Sequence, residues 1–398
     1  MATKTAIKNI EVKVSDTPKI DIGNMDIDKA IMWLTRKKEE NDRVVSFYDE
    51  FVNAHPLDAL IAFRKALSDI YGWVDDVPTP GFFGPTPPTM VPVVVGVGQV
   101  VHTPLGQVKI PGLSGNLQTV IHFQPSPKMC LCGDFKKKDI PKLEEIAQRT
   151  RHFLTTESIY KGQAIKVSWE WMREGLKYDI SRHSPKFLDL SSVRSGELVF
   201  SKSVEEQLNV GLWTLIEHTA SCRKHQVPLR RGVLLEGRYG TGKTLAALIT
   251  ALKAIQNNWT FVQLESIADL PMALEFVKPY LPAVIFGEDV DRSAAGSQTR
   301  TQELDHLMNS LDGLDSKSNE LITMLTTNNV KVIHPGMLRW GRIDTVVNVT
   351  PPDAEAAIAL VKIYGRGLLA ENIDLHEVGE ALDGTIPAMI REVVERAK

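Results

Sequence analysis

From residue 196 onward, short runs of continuous apolar residues alternate with helix-length segments. The runs are GVLLE (232–236), TFVQL (260–264), AVIF (283–286), LITMLTT (321–327) and TVVNV (345–349). Strands without polar alternation are typical of a parallel sheet that is buried on both faces. Residues 244–255 place Leu245, Leu248, Ile249 and Leu252 on one helical face, as a covering helix requires. The pattern predicts an α/β domain of about 200 residues.

The first half of the chain has a different pattern. Helical spacing, which includes Phe47 and Phe51, predicts a helical region over residues 1–74. Residues 75–92 are so dense in proline and glycine that they predict a linker or extended arm. Residues 93–190 alternate valine-rich runs with glycine and proline turns, which predicts a β-rich accessory domain that ends in a connector.

The composition of the chain excludes some classes of function. The chain has 398 residues, enough for two or three domains, and its formal net charge of −3 argues against a protein that binds mainly by neutralising nucleic-acid phosphates. The longest apolar stretch, residues 90–101, is interrupted by proline and glycine, so no membrane-spanning helix is expected. Three cysteines and an N-terminus without an apolar signal segment lead us to expect a reducing, cytoplasmic location.

The segment GRYGTGKT at 237–244 satisfies G-x-x-x-x-G-K-[ST] and stands directly between a predicted strand and a predicted helix. In that context backbone N–H groups and the helix N-terminus surround phosphates, Lys243 neutralises their oxygens and Thr244 ligates Mg²⁺. We therefore predict a site for ATP and Mg²⁺. The predicted nucleotide contacts are Gly237, Tyr239, Gly240, Thr241, Gly242, Lys243, Thr244 and Leu245.

A pair of carboxylates follows the apolar run AVIF. Glu288 and Asp289 would stand at the C-terminal edge of a strand beside the P-loop strand. Mg²⁺ binding and the polarisation of a water molecule both need carboxylates at that edge. The sequence therefore predicts a second, acidic half of the ATP site.

Four segments then appear in a recognisable order. They are VPLRRGVLLEGRYGTGKT (227–244), LMNSLDGL (307–314), LTTNN (325–329) and HPGMLRWGRID (334–344). With them, residues 196–398 resemble the ATPase module of the AAA+ superfamily, in the clade of the AAA proteases, the segregases and the mitochondrial Rieske-protein translocase. The resemblance implies a P-loop module with a five-stranded parallel sheet between helices over 191–352 and a small helical lid over 353–398.

Further roles are implied by this resemblance alone. Asn328 would be the sensor 1 amide that helps to place the attacking water. Arg339 and Arg342 would be arginine fingers that reach the γ-phosphate of a neighbouring subunit. Tyr364 lies where the clade often has an adenine-contacting residue on the lid, although a core tyrosine is an equal alternative.

Two positions depart from the clade. The Walker B motif of the clade has Asp before Glu, whereas this chain has Gly287, Glu288 and Asp289. The following Val290 aligns the pair with that motif, so we assign Glu288 to the Mg²⁺ shell and Asp289 to water polarisation. Members that thread polypeptide carry an aromatic–hydrophobic–glycine pore loop between the second strand and Walker B. Residues 265–282 contain no such tripeptide and predict one helix over 270–280.

The resemblance implies an ATP-hydrolysing ring, expected to be a hexamer, that remodels a protein client recognised by the residues before 190. Two alternatives stay open. One is a structural or assembly switch that binds ATP and turns over slowly, which the exchanged acids and the missing pore tripeptide favour. The other is a nucleic-acid motor or loader, for which the sequence offers no basic, aromatic-lined channel.

Overall fold

The fold is given by a computed structural model, which describes residues 26–332 and 342–398 apart from 53, 83, 123–126, 176–182, 194–198, 291–319, 366 and 371. Within these ranges the chain builds an antiparallel sheet in its N-terminal part and a mostly parallel sheet in its C-terminal part. Among the described helices, none is both long and apolar enough to cross a bilayer.

The N-terminal part is an antiparallel sheet with helices on one face. Its elements are α1 (Ile27–Asp42), β1 (Val44–Phe51), α2 (Pro56–Tyr71), β2 (Asp75–Val77), β3 (Thr89–Gly96), β4 (Gln99–Leu105), β5 (Gln107–Lys109), β6 (Asn116–His122), β7 (Lys128–Lys136) and α3 (Ile140–Thr156). The sheet has the order β1-β7-β6-β5-β2, and β3 pairs with β4 as a separate hairpin. α2 and α3 bury a core with the sheet in which Phe63 and Phe135 are fully covered.

The helical interpretation of Phe47 and Phe51 is wrong. Both lie in β1, whose residues pair with β7 from Val44↔Lys136 to Phe51↔Met129. A spacing of four residues returns a side chain to the same face of a helix, but because four is even it does so in a strand as well. The predicted linker also contains strand residues, since β2 and the start of β3 lie within 75–92.

The C-terminal part is a sheet covered by helices, followed by a helical lid. Its elements are β8 (Ala164–Val167), α4 (Glu170–Arg173), β9 (Lys186–Phe187), α5 (Lys202–Leu208), α6 (Thr214–Glu217), α7 (Thr219–Lys224), β10 (Arg231–Glu236), α8 (Lys243–Gln256), β11 (Thr260–Leu264), α9 (Leu270–Phe276), β12 (Ala283–Gly287), β13 (Leu321–Thr327), β14 (Thr345–Asn348), α10 (Ala354–Gly365), α11 (His376–Leu382) and α12 (Pro387–Ala397). Short 3₁₀ turns at Ile267–Asp269 and Lys278–Tyr280 flank α9.

All five predicted apolar runs are strands of one sheet, which confirms the α/β fold. The sheet order is β14-β10-β13-β12-β11-β8-β9, so it has seven strands where five were expected. The two additional strands precede residue 190: β8 ends the predicted β-rich region and pairs in parallel with β11, and β9 lies in the predicted connector and pairs antiparallel with β8. They cover the edge of β11, whose backbone N–H and C=O groups would otherwise lack partners. The sheet thus crosses residue 190, and the proposed division into domains stays a prediction.

The two parts meet at a buried polar junction. The backbone N–H of His55 donates to the Tyr280 hydroxyl at 2.9 Å. The Asp58 carboxylate accepts from the Ser158 hydroxyl at 2.7 Å and from the Ile159 N–H at 3.0 Å. Burial raises the pKa of Asp58 to about 6 and lowers the pKa of His55 to about 3. These contacts join the start of α2 to the turn after α9 and to the segment between α3 and β8.

Candidate functional site

The predicted site residues meet at one edge of the parallel sheet. β10, β13 and β12 are neighbours, with Glu236 opposite Thr327 and Gly287 opposite Leu325. Because these strands run in the same direction, the loops that follow them leave the sheet at the same edge. The P-loop, the acidic pair and Asn328 therefore lie side by side although they are up to 91 residues apart in the chain.

The P-loop fits closely between this edge and α8. The N–H of Gly237 donates to the Thr327 carbonyl at 3.2 Å, and a Cβ at Gly237 would lie 2.4 Å from the Val349 carbonyl oxygen. Gly242, directly before α8, has φ +100°. Residues with a side chain rarely adopt this backbone conformation. The glycines of the motif are therefore required by packing and by backbone conformation.

The Lys243 side chain lies inside the loop and is almost fully buried. Its ammonium donates to the carbonyl oxygens of Gly237 at 2.7 Å and Arg238 at 2.9 Å, and to Oδ1 of Asn328 at 3.0 Å. The α8 N-terminus begins at the same residue. A positive charge and the helix N-terminus thus point to one place, as phosphate binding requires.

The two acidic residues have different neighbours. The Thr244 hydroxyl donates to Oε1 of Glu288 at 2.8 Å. Asp289 instead accepts from Nδ2 of Asn328 at 3.2 Å, while its own N–H donates to the Thr326 hydroxyl at 3.0 Å. Asp289 has φ +50°, a left-handed conformation in which Asp and Asn are enriched. The geometry groups Glu288 with Thr244 and Asp289 with Asn328.

This donor set fits a magnesium nucleotide. A hydroxyl and a carboxylate 2.8 Å apart supply the hard oxygen ligands that Mg²⁺ takes. The ammonium of Lys243 and the N-terminus of α8 are complementary to phosphate oxygens. Tyr239 is exposed, with the Lys243 ammonium 5.9 Å from its ring centre, and Leu245 is half-buried on α8. Thr241 is buried and donates to the Arg238 carbonyl.

The glycine at position 287 is explained by a residue from the preceding segment. A Cβ at Gly287 would lie 2.7 Å from Cδ1 of Ile267 and 3.2 Å from Cδ2 of Leu325. Ile267 is buried and belongs to the 3₁₀ turn before α9, so its side chain fills the space that a larger residue at 287 would need. Ile267 therefore occupies the space that the larger residue of the clade would take at position 287.

Gly287→Ala should lower the free energy of unfolding by about 1–3 kcal/mol, because the new methyl group overlaps Ile267 in a closely packed core. Ile267→Val removes the overlapping Cδ1 atom. The double variant should therefore lose less free energy of unfolding than the sum of the losses in the two single variants. Chemical denaturation of all four proteins measures this coupling. Strict additivity would contradict the assigned contact.

Two apolar residues approach the P-loop, one from the lid and one from the segment before α5. A Cβ at Gly240 would lie 3.1 Å from Cδ1 of Ile386, and a Cβ at Gly242 would lie 3.3 Å from the Phe200 ring. Ile386 directly precedes α12, and Phe200 precedes α5. Both are apolar neighbours of the nucleotide loop, and no local motif marks them. Tyr364 is half-buried against the apolar cluster of the lid, so its contact with adenine stays a prediction.

Arg342 lies at the end of β10 opposite to the P-loop. The Arg342 carbonyl packs directly against Gly232 near the start of β10. The P-loop begins five residues later at Gly237, which at ~3.3 Å per residue is roughly 16 Å away along the strand, longer than an arginine side chain. Arg339, the second predicted finger, and the segment 307–314 lie outside the described residues.

The C-terminal part of the chain is similar to known proteins. The family "ATPase family associated with various cellular activities (AAA)" matches residues 233–351. The ATP-dependent zinc metalloprotease FtsH of Lactococcus lactis is 30% identical over 227 residues, which cover 52% of this chain and 32% of that protein. The 26S proteasome regulatory subunit 8 homolog of Schizosaccharomyces pombe is 28% identical, covering 46% and 49%. The proteasome-activating nucleotidase of Methanocaldococcus jannaschii is 27% identical, covering 46% of each. The chain thus spans between a third and a half of the length of these relatives.

Proposed function

Residues 233–351 are an AAA domain of the AAA+ ATPase superfamily, and we propose that the chain hydrolyses ATP in a homo-oligomeric ring to remodel a protein partner. The observation that carries the ATPase proposal is the hydrogen-bonded set Lys243–Asn328–Asp289 beside the pair Thr244–Glu288. The proposal includes a ring of six subunits and recognition of the partner by the residues before 190.

In the proposed reaction each residue has one task. Lys243 and the N-terminus of α8 would hold the β- and γ-phosphates of ATP, and Thr244 with Glu288 would hold Mg²⁺, which would neutralise phosphate charge. Asp289 polarises the attacking water and Asn328 orients it, because their side chains lie 3.2 Å apart and Asn328 also accepts from the Lys243 ammonium. Binding and hydrolysis would thus use neighbouring but separate carboxylates.

The position of Arg342 supports catalysis between subunits. Because it lies at the opposite end of β10 from its own P-loop, it would contribute a guanidinium only to a site on another copy of the chain. A guanidinium supplied in this way stabilises the charge that develops on the transferred phosphoryl group. Hydrolysis would therefore require assembly.

The segment between β11 and β12 supports remodelling without aromatic paddles. The backbone N–H of Trp169 donates to the buried Asp269 carboxylate at 3.2 Å, and the Arg173 guanidinium donates to the Ser266 hydroxyl at 3.1 Å. These contacts attach the turn after β11 to the segment around α4. A turn fixed in this way is unsuited to gripping and pulling an unfolded strand.

The names of the relatives favour a protein as the partner. They are an ATP-dependent protease, a regulatory subunit of the proteasome and a nucleotidase that activates the proteasome. Each name refers to a protease or to the proteasome. Residues 27–156, which build the antiparallel sheet and its helices, are an additional unit that could recognise the partner.

Mixing two inactive variants tests the ring. Lys243→Ala lacks a working P-loop and Arg342→Ala lacks a finger, so each protein alone should hydrolyse ATP at least ~100-fold more slowly than the parent chain. In a mixed ring, some interfaces pair an intact P-loop with an intact finger, so mixing should restore part of the activity. Phosphate release and particle mass are measured together over a range of total concentrations.

Arg151→Ala is the matched control, because Arg151 is an exposed arginine that pairs with Asp49 far from the nucleotide site. It should keep parental activity. Absence of recovery at every mixing ratio, together with a monomeric mass during turnover by the parent chain, would refute the ring.

A further inference from the structure

A cavity of about 520 Å³ lies between the two parts of the chain. Its walls come from the loop before α2, the segment that follows β8, and α9 with the turn after it. The side chains that determine its chemistry are His55, Trp169, Trp171, Met172, Met272 and Phe276. Its volume falls within the ~300–1,000 Å³ typical of small-ligand sites.

The walls are largely aromatic and apolar. Trp169 meets Phe276 edge to face with ring centres 5.7 Å apart, and Phe276 meets His55 at 6.2 Å with planes inclined by 71°. Burial lowers the pKa of His55 to about 3, so this imidazole is neutral at physiological pH. The charged residues of the described lining are Glu275 and Lys278, which are exposed and pair with each other at 2.5 Å. Charge is therefore confined to the mouth of the cavity.

We propose that this cavity binds an uncharged aromatic group, which is either a side chain of a bound peptide or a free aromatic compound. Trp169 and Phe276 offer ring edges and faces to such a group, and Met172 and Met272 add polarizable sulfur atoms. A charged ligand would lose its hydration against the largely apolar side chains of the described lining. The walls of the cavity thus select ligands by their polarity and their shape.

The same helix connects the cavity to the acidic pair. Met272 and Phe276 lie on α9, and the 3₁₀ turn that leads into α9 carries Ile267, whose side chain packs on Gly287 directly before Glu288. An occupied cavity therefore changes ATP turnover through α9. This coupling rests on the proposed ATPase function, whereas binding itself does not. By reciprocity, Mg²⁺–ATP changes the affinity of the cavity by the same factor as the ligand changes the affinity for Mg²⁺–ATP.

Two probes test the site: 3-phenylpropanamide as the free compound and acetyl-Phe-Leu-Phe-amide as the peptide. Binding to the full chain is measured by tryptophan emission, because Trp169 and Trp171 line the cavity, and by the rise in the thermal denaturation midpoint. Met272→Glu places a charge in the wall and should weaken binding at least tenfold. Met389→Glu changes another exposed methionine, on α12, and should leave binding unchanged.

The outcomes separate the possibilities. Tighter binding of the peptide by tenfold or more identifies a peptide as the source of the aromatic group, and equal or tighter binding of the free compound identifies a small ligand. Absence of binding by both probes, or equal binding to Met272→Glu, overturns the site. A chain that binds a probe and hydrolyses ATP with unchanged kcat and KM retains the site but overturns the coupling through α9. An inactive chain that still binds would contradict the proposed ATPase function and leave the cavity assignment intact.

Discussion

Replacing Lys243 with alanine should abolish ATP turnover and weaken nucleotide binding severely. The Lys243 ammonium is buried in the P-loop, where it donates three hydrogen bonds to oxygen atoms within 3.0 Å. In the proposed complex these donors turn to phosphate oxygens, and charge-assisted hydrogen bonds of this kind are the strong ones. Removal of a comparable donor costs roughly 10²–10³ in kcat, and the loss of binding adds to this.

Phosphate release and binding of a fluorescent ATP analogue measure the two effects separately. Lys253→Ala is the matched control, because Lys253 lies on the same helix α8 and pairs with Glu217 at 2.5 Å, away from the loop. We expect the control to bind and hydrolyse ATP as the parent chain does. Turnover at the parental rate by Lys243→Ala would show that the nucleotide site lies elsewhere.

Asp289→Asn and Glu288→Gln should fail in different ways. Asn at position 289 keeps an acceptor for the Asn328 amide and tolerates φ +50°, but it cannot polarise a water, so hydrolysis should fall roughly 10²–10⁴-fold while ATP stays bound. Gln at position 288 removes the anionic oxygen beside the Thr244 hydroxyl, so it should weaken the Mg²⁺-dependent part of nucleotide binding.

Binding measured with and without Mg²⁺, followed by single-turnover hydrolysis, distinguishes the two variants. Glu265→Gln serves as the control, since Glu265 directly follows β11 and pairs with Lys166 in an exposed position. The reverse result, with ATP trapped by Glu288→Gln and the metal dependence lost in Asp289→Asn, would exchange the two roles and restore the usual order of tasks in the clade.

The elements that the sequence predicted best are those whose determinants are contiguous. LITMLTT was predicted as a buried strand and is β13, because burial on both faces leaves seven apolar or small residues without alternation. The covering helix predicted over 244–255 lies within α8, since apolar residues continue at helical spacing over several turns. Phe47 and Phe51 misled the prediction because two residues at one even spacing cannot separate a helix from a strand.

The chain by itself therefore determined the strand runs, the P-loop and the presence of two carboxylates at a strand end, because each of these is a local pattern with a local physical cause. Tertiary structure alone decided which distant residues meet. It placed Ile267 on Gly287, Asn328 between Lys243 and Asp289, and β8 on the edge of β11. Such contacts depend on chain segments folding back on one another, and no periodicity or motif within either segment records its partner.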